Sequence, residues 1–317
     1  MMKPVLYMAP IRGVTNSIYR NVCSRHFGGY DRAVTPFLKS SGGRKPTLRD
    51  ILPERNDAGF DIVPQILEND PKRFIALSNG IFDLGYKTVN WNLGCPIPRV
   101  RSKKRGSGLL PFPSDIVRFL EEVIPGVSGR ISIKVRLGVH DKNELSELLP
   151  LLNELPLEEI IVHPRTGKQM YKGEADIDSI EEICSLTTHT VVYNGDIDSV
   201  DKFNKLSNKF PDVNRWMIGR GGIIDPFLPE EIKELTHNNK QEKLDRFINF
   251  HEEMFKVYRE ELSGPAHLIG KMKENWRYWV MAFKTGERLF LEITRTKTAD
   301  QYKRTVDKFF MMEKKCL

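Results

Sequence analysis

The stretch Val5-Leu6-Tyr7-Met8-Ala9, followed by Pro10-Ile11-Arg12-Gly13-Val14-Thr15, decides between two architectures. An apolar run that ends in a turn can open either an open doubly wound sheet or a closed barrel. The open sheet calls for a G-x-G-x-x-G turn directly after its first strand. The turn here carries one glycine, Gly13, so that signature is missing. Seven further apolar or β-branched runs follow: Arg32–Pro36, Phe60–Leu67, Thr88–Leu93, Ile131–Arg136, Glu159–His163, Thr190–Asn194 and Arg215–Ile218. Helix-like segments lie between them. Pro71–Leu84 is one, and Ser114–Val123 is another, with Ser114 as expected N-cap before an Ile116, Val117, Leu120 face. Eight strands alternating with helices predict a (β/α)8 TIM barrel.

The pattern changes after about Leu235. Thr236-His237-Asn238-Asn239-Lys240 reads as a polar linker, and residues 241–317 show helical periodicity with almost no strand signal. Phe247, Phe250, Met254 and Tyr258 recur at helical spacing, and Trp276, Tyr278, Trp279 and Phe283 form a second aromatic-rich segment. The expected architecture is a barrel with a C-terminal helical domain.

At 317 residues, 40% hydrophobic and 29% charged, the chain fits a water-soluble globular protein of this size. No uncharged apolar stretch reaches the length of a membrane span, and mean hydropathy is −0.40. Met1-Met2-Lys3-Pro4-Val5 lacks a small-residue cleavage site and reads as no signal peptide. Cys23, Cys95, Cys184 and Cys316 show neither disulfide-framework nor zinc-finger spacing, which suits a reducing cytoplasm and no structural metal. The net charge of +7 hints at a polyanionic partner.

In a (β/α)8 barrel, chemistry sits at the C-terminal ends of the strands. Those ends carry Ala9-Pro10, Gln65, Asn92, Lys134, His163, Asn194-Gly195-Asp196 and Gly219-Arg220-Gly221. The last two groups follow strands 7 and 8, the usual phosphate site of the fold. Their glycines let backbone N–H groups converge on oxygens, and Arg220 adds a charge-assisted contact; the alternative is a pair of tight turns. Lys134 ends an apolar strand, where an ammonium needs a partner. A flavin edge that gains negative charge is one such partner, a structural ion pair another. Cys95, in Asn92-Leu93-Gly94-Cys95-Pro96, opens a loop at the catalytic face, as a nucleophile or general acid would. The next loop carries Arg99, Arg101, Lys103, Lys104 and Arg105, a run placed to meet a phosphate backbone. Lys271, Lys273 and Arg277 add a second basic region on a helix.

These strings, in this order, resemble the bacterial tRNA-dihydrouridine synthase family. The resemblance rests on Met8-Ala9-Pro10-Ile11-Arg12-Gly13-Val14-Thr15, Pro64-Gln65-Ile66, Asn92-Leu93-Gly94-Cys95-Pro96 and Lys134-Val135-Arg136-Leu137-Gly138. It continues through Val162-His163-Pro164-Arg165-Thr166, Gln169 to Asp176, Tyr193-Asn194-Gly195-Asp196-Ile197 and Ile218-Gly219-Arg220-Gly221. It implies an FMN enzyme that reduces selected uridines of tRNA to 5,6-dihydrouridine with NADPH. It implies that Ala9, Pro10, Gln65 and Asn92 lie at the flavin ring, that Lys134 and His163 contact it, and that Asn194, Gly195, Asp196, Gly219 and Arg220 hold its phosphate. Cys95 is then the general acid, and Arg165, Gln169 and Tyr171 reach the RNA. Residues 1–236 would form the FMN-binding catalytic domain and 241–317 the RNA-binding domain of a cytoplasmic monomer, with no membrane or metal involved. Three alternatives differ in substrate or chemistry: ribosomal RNA, a small-molecule FMN oxidoreductase of the dihydroorotate dehydrogenase or enoate type, and an RNA-binding module on an inactive barrel.

Overall fold

The computed structural model describes residues 3–39, 48–235 and 239–315. Cys316 and linker residues 236–238 fall outside the described residues. Nine parallel strands form the sheet: β1 Val5–Met8, β2 Arg32–Val34, β3 Asp61–Val63, β4 Gln65–Ile66, β5 Thr88–Leu93, β6 Arg130–Gly138, β7 Leu157–Thr166, β8 Val191–Tyr193 and β9 Arg215–Ile218. Their spatial order is β3-β2-β1-β9-β8-β7-β6-β5-β4. The two ends of that order are neighbours in the chain, separated only by Pro64, so the sheet curls into a barrel. Proline has no N–H to give a ladder, which splits the expected third strand in two.

The helices are α1 Ser17–His26, α2 Pro71–Phe82, α3 Pro98–Arg101, α4 Pro113–Val123, α5 Asn143–Leu152, α6 Ser179–Leu186 and α7 Val200–Lys209. The remainder are α8 Arg220–Ile224, α9 Leu228–Ile232, α10 Lys240–Glu261, α11 Pro265–Trp279, α12 Gly286–Arg295 and α13 Ala299–Lys315. Two expectations are corrected. Ser114 is not the cap of α4; the helix starts at Pro113 and its cap position, Phe112, makes no side-chain bond. Proline suits the first helical position because its missing N–H has no partner to lose there. Asn239 and Lys240, read as linker, begin α10 instead. Asn239 and Glu242 exchange side-chain-to-backbone bonds in a capping box.

Every second strand residue points inward. Tyr7, Val34, Val63, Ile161, Val192 and Met217 form an apolar layer inside the barrel. Beneath it Glu159, 1% exposed, accepts from Tyr7 Oη at 2.8 Å and pairs with Arg215 at 2.6 Å. Above it the inward residues turn polar. This polar layer is the floor of the mouth.

The four last helices share an apolar cluster with α1 and the start of the barrel, including Val22, Phe27, Phe247, Phe250, Trp276 and Trp279. Ion pairs fasten the same seam. Arg246 on α10 contacts buried Glu230 at 2.7 Å, and Glu261 receives Arg49 and Arg55.

Candidate active site

The mouth is built from the ends of β1 and β4 to β9. On β5, Asn90 and Asn92 face inward two residues apart. Gln65 Nε2 donates to Asn90 Oδ1 at 2.8 Å, Asn90 donates to Ser132 Oγ at 2.8 Å, and Asn92 Nδ2 donates to Gln65 Oε1 at 2.7 Å. The strand polar groups thus satisfy one another, as burial requires. Gln65 is fully buried, so it supports Asn92 from beneath.

Cys95 follows directly. Its backbone N–H donates to Asn92 Oδ1 at 2.9 Å. Its carbonyl accepts from Ser107 N at 3.1 Å and Ser107 Oγ at 3.0 Å. Gly106 backs it closely: a Cβ there would lie 2.7 Å from Cys95 Cβ, and φ is +57°. Burial pushes the thiol up, against a backbone bond at Ile97 and the positive fields of Arg136 and Arg12. The group is therefore a protonated thiol at neutral pH.

Lys134 stands on β6 beside Asn92 on β5. Burial, reinforced by Arg136, lowers its ammonium to about 7. Its Nζ makes no hydrogen bond or ion pair among the described residues. An amine so placed, with no counter-charge, would hold its proton more firmly beside an anionic or acceptor ligand. His163 on β7 is held neutral by burial first and by Lys134, Arg136, Arg165 and Arg220 after it. Its Nε2 accepts from Arg165 at 2.9 Å, which leaves the ring proton on Nδ1.

After β8 and β9, Asn194 donates to Met217 O at 2.8 Å. Asp196 accepts from Arg165 at 2.5 Å and from Arg220 at 3.3 Å. Burial opposes its ionisation, but the Arg165 contact outweighs this and holds the carboxyl below the usual range. Asp196 therefore orients Arg220 rather than meeting an anion itself. At Gly195 a Cβ would strike Tyr193 Oη at 2.6 Å, so the protein alone explains that glycine. At Gly219 a Cβ would make only ordinary contact, 3.8 Å from Ala9, so no protein neighbour demands it. Ala9 itself is buried, its carbonyl accepting from Thr15 Oγ1 at 3.2 Å, and Pro10 is half-buried beside it.

The residues expected at RNA separate into two sets. Arg99, Lys103 and Arg277 are exposed, with side chains that make no polar contact among the described residues. Tyr171 is exposed at the rim, with Arg136 at 5.3 Å and Arg220 at 5.9 Å from its ring centre. The others, apart from Arg101, are engaged within the protein. Arg165 is 1% exposed and clasps His163, Asp196 and Gly173 O. Arg105 binds Glu68 and Asn69. Lys104 pairs with Asp115 at 3.6 Å over the Phe112 ring. Arg101 is half-buried. Gln169 Oε1 accepts from Thr166 N at 2.7 Å and closes its turn. Lys271 donates to Gly13 O and pairs with Glu274; Lys273 caps Thr294 and Thr296 carbonyls at the end of α12.

Arg136 was among the polar strand-end residues legible in the sequence, but neither it nor Arg12 nor Tyr278 was given a site role there. Arg136 holds Gly94 O at 2.9 Å and faces Tyr171. Arg12 is exposed beside Cys95. Tyr278, raised by burial and then by Tyr171, brings α11 to the rim. Its mixed signal, an aromatic on a core-like helix, hid it. Arg136 was signalled by lying two residues after Lys134, on the same face of β6.

Among the described residues, no helix is long and apolar enough to cross a membrane, and no group of three or more His, Cys, Asp or Glu is placed to hold a metal.

A family model described as dihydrouridine synthase (Dus) matches residues 7–315. The chain is 28% identical to the probable tRNA-dihydrouridine synthase 2 of Bacillus subtilis, over 97% of this chain and 94% of that protein. It is 30% identical to tRNA-dihydrouridine synthase B of Vibrio vulnificus, over 75% of this chain and 73% of that one. Among solved structures it is similar to an old yellow enzyme from Trypanosoma cruzi, with TM-score 0.52 and 11% identity, over 74% of this chain and 89% of that chain. Morphinone reductase gives TM-score 0.52 at 12% identity, over 75% and 87% of the two chains. At such identities these two structures support the barrel fold alone.

Proposed function

The chain belongs to the dihydrouridine synthase family, and from that premise we propose that it reduces uridines of tRNA to 5,6-dihydrouridine, with FMN in the mouth and NADPH as reductant. The observation that carries this reading is geometric: Asn92, which holds the Cys95 N–H at 2.9 Å, stands in register beside Lys134, so a thiol and an amine without an internal partner among the described residues share one barrel mouth. FMN, when bound, supplies a hydride for uracil C6 and draws its electrons from NADPH.

The residues present fit such a ring. Lys134 would meet its electron-rich edge, with Asn92 and His163 beside it and Ala9 and Pro10 below. A negative ring would return the Lys134 proton and remove the cost of burying that charge. Gly219 and the Asp196-held Arg220 would take the phosphate; a ligand that approaches the backbone explains a glycine that no protein neighbour requires.

Uracil is a poor hydride acceptor unless C5 gains a proton as C6 is reduced. Cys95 Sγ–H supplies that proton, and Asn92 and Ser107 fix the backbone on either side of the donor. Arg136 and Arg12 stabilise the thiolate left behind. A uridine reaches the mouth only by leaving its stack, at a few kcal/mol. Arg99, Lys103, Arg277 and Arg12, free of internal partners, would offset this through phosphate contacts.

The test is mass-spectrometric mapping of dihydrouridine in tRNA incubated with the protein, FMN and NADPH. New dihydrouridine at defined positions supports the reading. Its absence from tRNA, together with its presence in ribosomal RNA, overturns the substrate; absence from both overturns the activity.

A further inference from the structure

Arg105 stands in a run of basic residues that reads as an RNA contact, yet its guanidinium turns inward. Nε donates to Asn69 Oδ1 at 2.8 Å, and an NH2 group donates to Glu68 Oε1 at 2.5 Å. Glu68 is 2% exposed and lies just past β4; its carbonyl also accepts from Trp91 Nε1 at 2.8 Å. Asn69 returns a bond, donating to Lys103 O at 3.1 Å. The loop after β5 is thus tied to the end of β4 by three side-chain bonds at residues 103–105.

The next residues touch Cys95. Gly106 lies against Cys95 Cβ, and Ser107 donates twice to its carbonyl. Lys104 and Gly106 both hold positive φ, +48° and +57°, so the chain reverses sharply between the tie and the contact. Such a turn relays a displacement at residue 105 to residue 106 with little slack. A larger side chain at 106 has no room, so the segment can meet Cys95 only in this one register.

We propose that Arg105 is a positioning residue for Cys95: its clasp on buried Glu68 and Asn69 presses residues 105–107 against the back of the cysteine and fixes where the thiol stands. This rests on the reading of Cys95 as proton donor, but the clasp itself is measurable without any turnover.

The experiment compares Arg105→Gln and Glu68→Gln with the parent, on the protein as purified. The rate of iodoacetamide labelling at Cys95, followed by peptide mass mapping and so distinguished from the other cysteines, reads the position of the thiol. Thermal unfolding and flavin content report folding. Both variants are expected to speed Cys95 labelling about fivefold, as the loop opens. The rate of uridine reduction should fall about 10-fold to 100-fold, while RNA affinity stays within about twofold of the parent. Glu68 is buried and cannot touch RNA, so a matching effect from both sides of the pair is the signature of positioning. If Arg105→Gln instead lowers RNA affinity and the salt slope by about one, with labelling at the parent's rate, Arg105 is an RNA contact and the proposal is overturned. Parental labelling in both variants overturns it as well. Where a single variant is unstable, Glu68→Leu with Arg105→Met removes the buried carboxylate and its half-buried partner together while keeping volume, and the labelling rate is read there. If the parent reduces no uridine, the labelling rates still decide the clasp, so its failure and that of the proposed activity are told apart.

Discussion

The side-chain oxygen of Asn92 accepts the backbone N–H of Cys95 at 2.9 Å and that of Gly94 at 3.1 Å. Its nitrogen donates to Gln65, which donates to Asn90. A line of amides therefore runs from the closed interior of the barrel to the base of the thiol loop. The rigid sheet sets the direction of the loop through one side chain.

Asn92→Ala removes the acceptor for two N–H groups and the donor to Gln65. Unsatisfied buried groups of this kind cost about 1–3 kcal/mol. The expected result is a lower unfolding midpoint together with a slower uridine reduction. Chemical denaturation of the two proteins checks it, and equal midpoints would show that the loop holds its place without Asn92.

Cys95→Ala keeps the fold, because the cysteine packs as a small side chain. On the proposed function it is also expected to keep bound flavin and its reduction by NADPH. Uridine reduction is expected to drop by about 10²-fold to 10⁴-fold, the usual contribution of a placed proton donor. The pH profile follows from the same thiol. Burial raises it above the roughly 8.5 of a free cysteine. With Cys95 as the proton donor proposed above, the acid form is the active one, and the rate is expected to fall as pH passes upward through that raised value. Full activity in Cys95→Ala would remove Cys95 from the reaction.

The strands were legible because their apolar runs are bounded by turns: Thr88–Leu93 and Arg215–Ile218 match residue for residue. Lys134, His163 and Cys95 were legible because polar residues at strand ends have few places to go in a barrel. The fates of Arg105 and Arg165 were not. Their partners, Glu68 and Asp196, lie 37 and 31 residues away, and nothing local says that a cation will turn inward. Asn90 and Ser132 were hidden for a related reason. A polar residue in mid-strand breaks the apolar pattern, and only cross-strand pairing makes it part of the interior.

Lys134 gives a pH dependence of opposite origin. Burial first, then Arg136, lowers it to about 7 in the folded chain. In an unfolded chain the value is about 10.4. Between the two the unfolded chain binds one more proton than the native one, so the stability of flavin-free protein rises with pH across that window. Lys134→Met abolishes the rise and is the more stable protein at pH 7, while its flavin affinity is weaker. Denaturation at pH 7, 8 and 9 is the check; parallel profiles for parent and variant would show that the ammonium is not buried at its ordinary cost.

Arg246 and Glu230 join α10 to the barrel. Glu230 is 4% exposed and also accepts from Gly28 N. Losing a charge-assisted bond to a buried carboxylate costs about 1–3 kcal/mol. Arg246→Ala is expected to approach that loss in denaturant unfolding, whereas Lys205→Ala, which breaks a pair exposed on both sides, is expected to leave the midpoint where it was. Equal effects would mean that the seam between helices and barrel carries little of the fold.

Internal pairing decides which cations are free to meet RNA. Exposed side chains without an internal partner can release counterions from a phosphate backbone; those already paired cannot without breaking a contact. Arg277→Ala and Arg12→Ala should each weaken RNA binding and flatten the dependence of log affinity on log salt by about one unit. Lys273 lies on the same helix as Arg277, but its ammonium caps two carbonyls of α12 at 3.0 Å and 2.7 Å. Lys273→Ala should therefore lower the melting temperature and leave the salt slope where it was. Filter binding of tRNA across a salt series separates the two. A slope that changes equally for Lys273 and Arg277 would mean that RNA pulls Lys273 off its cap, and that internal pairing does not decide which basic residues bind.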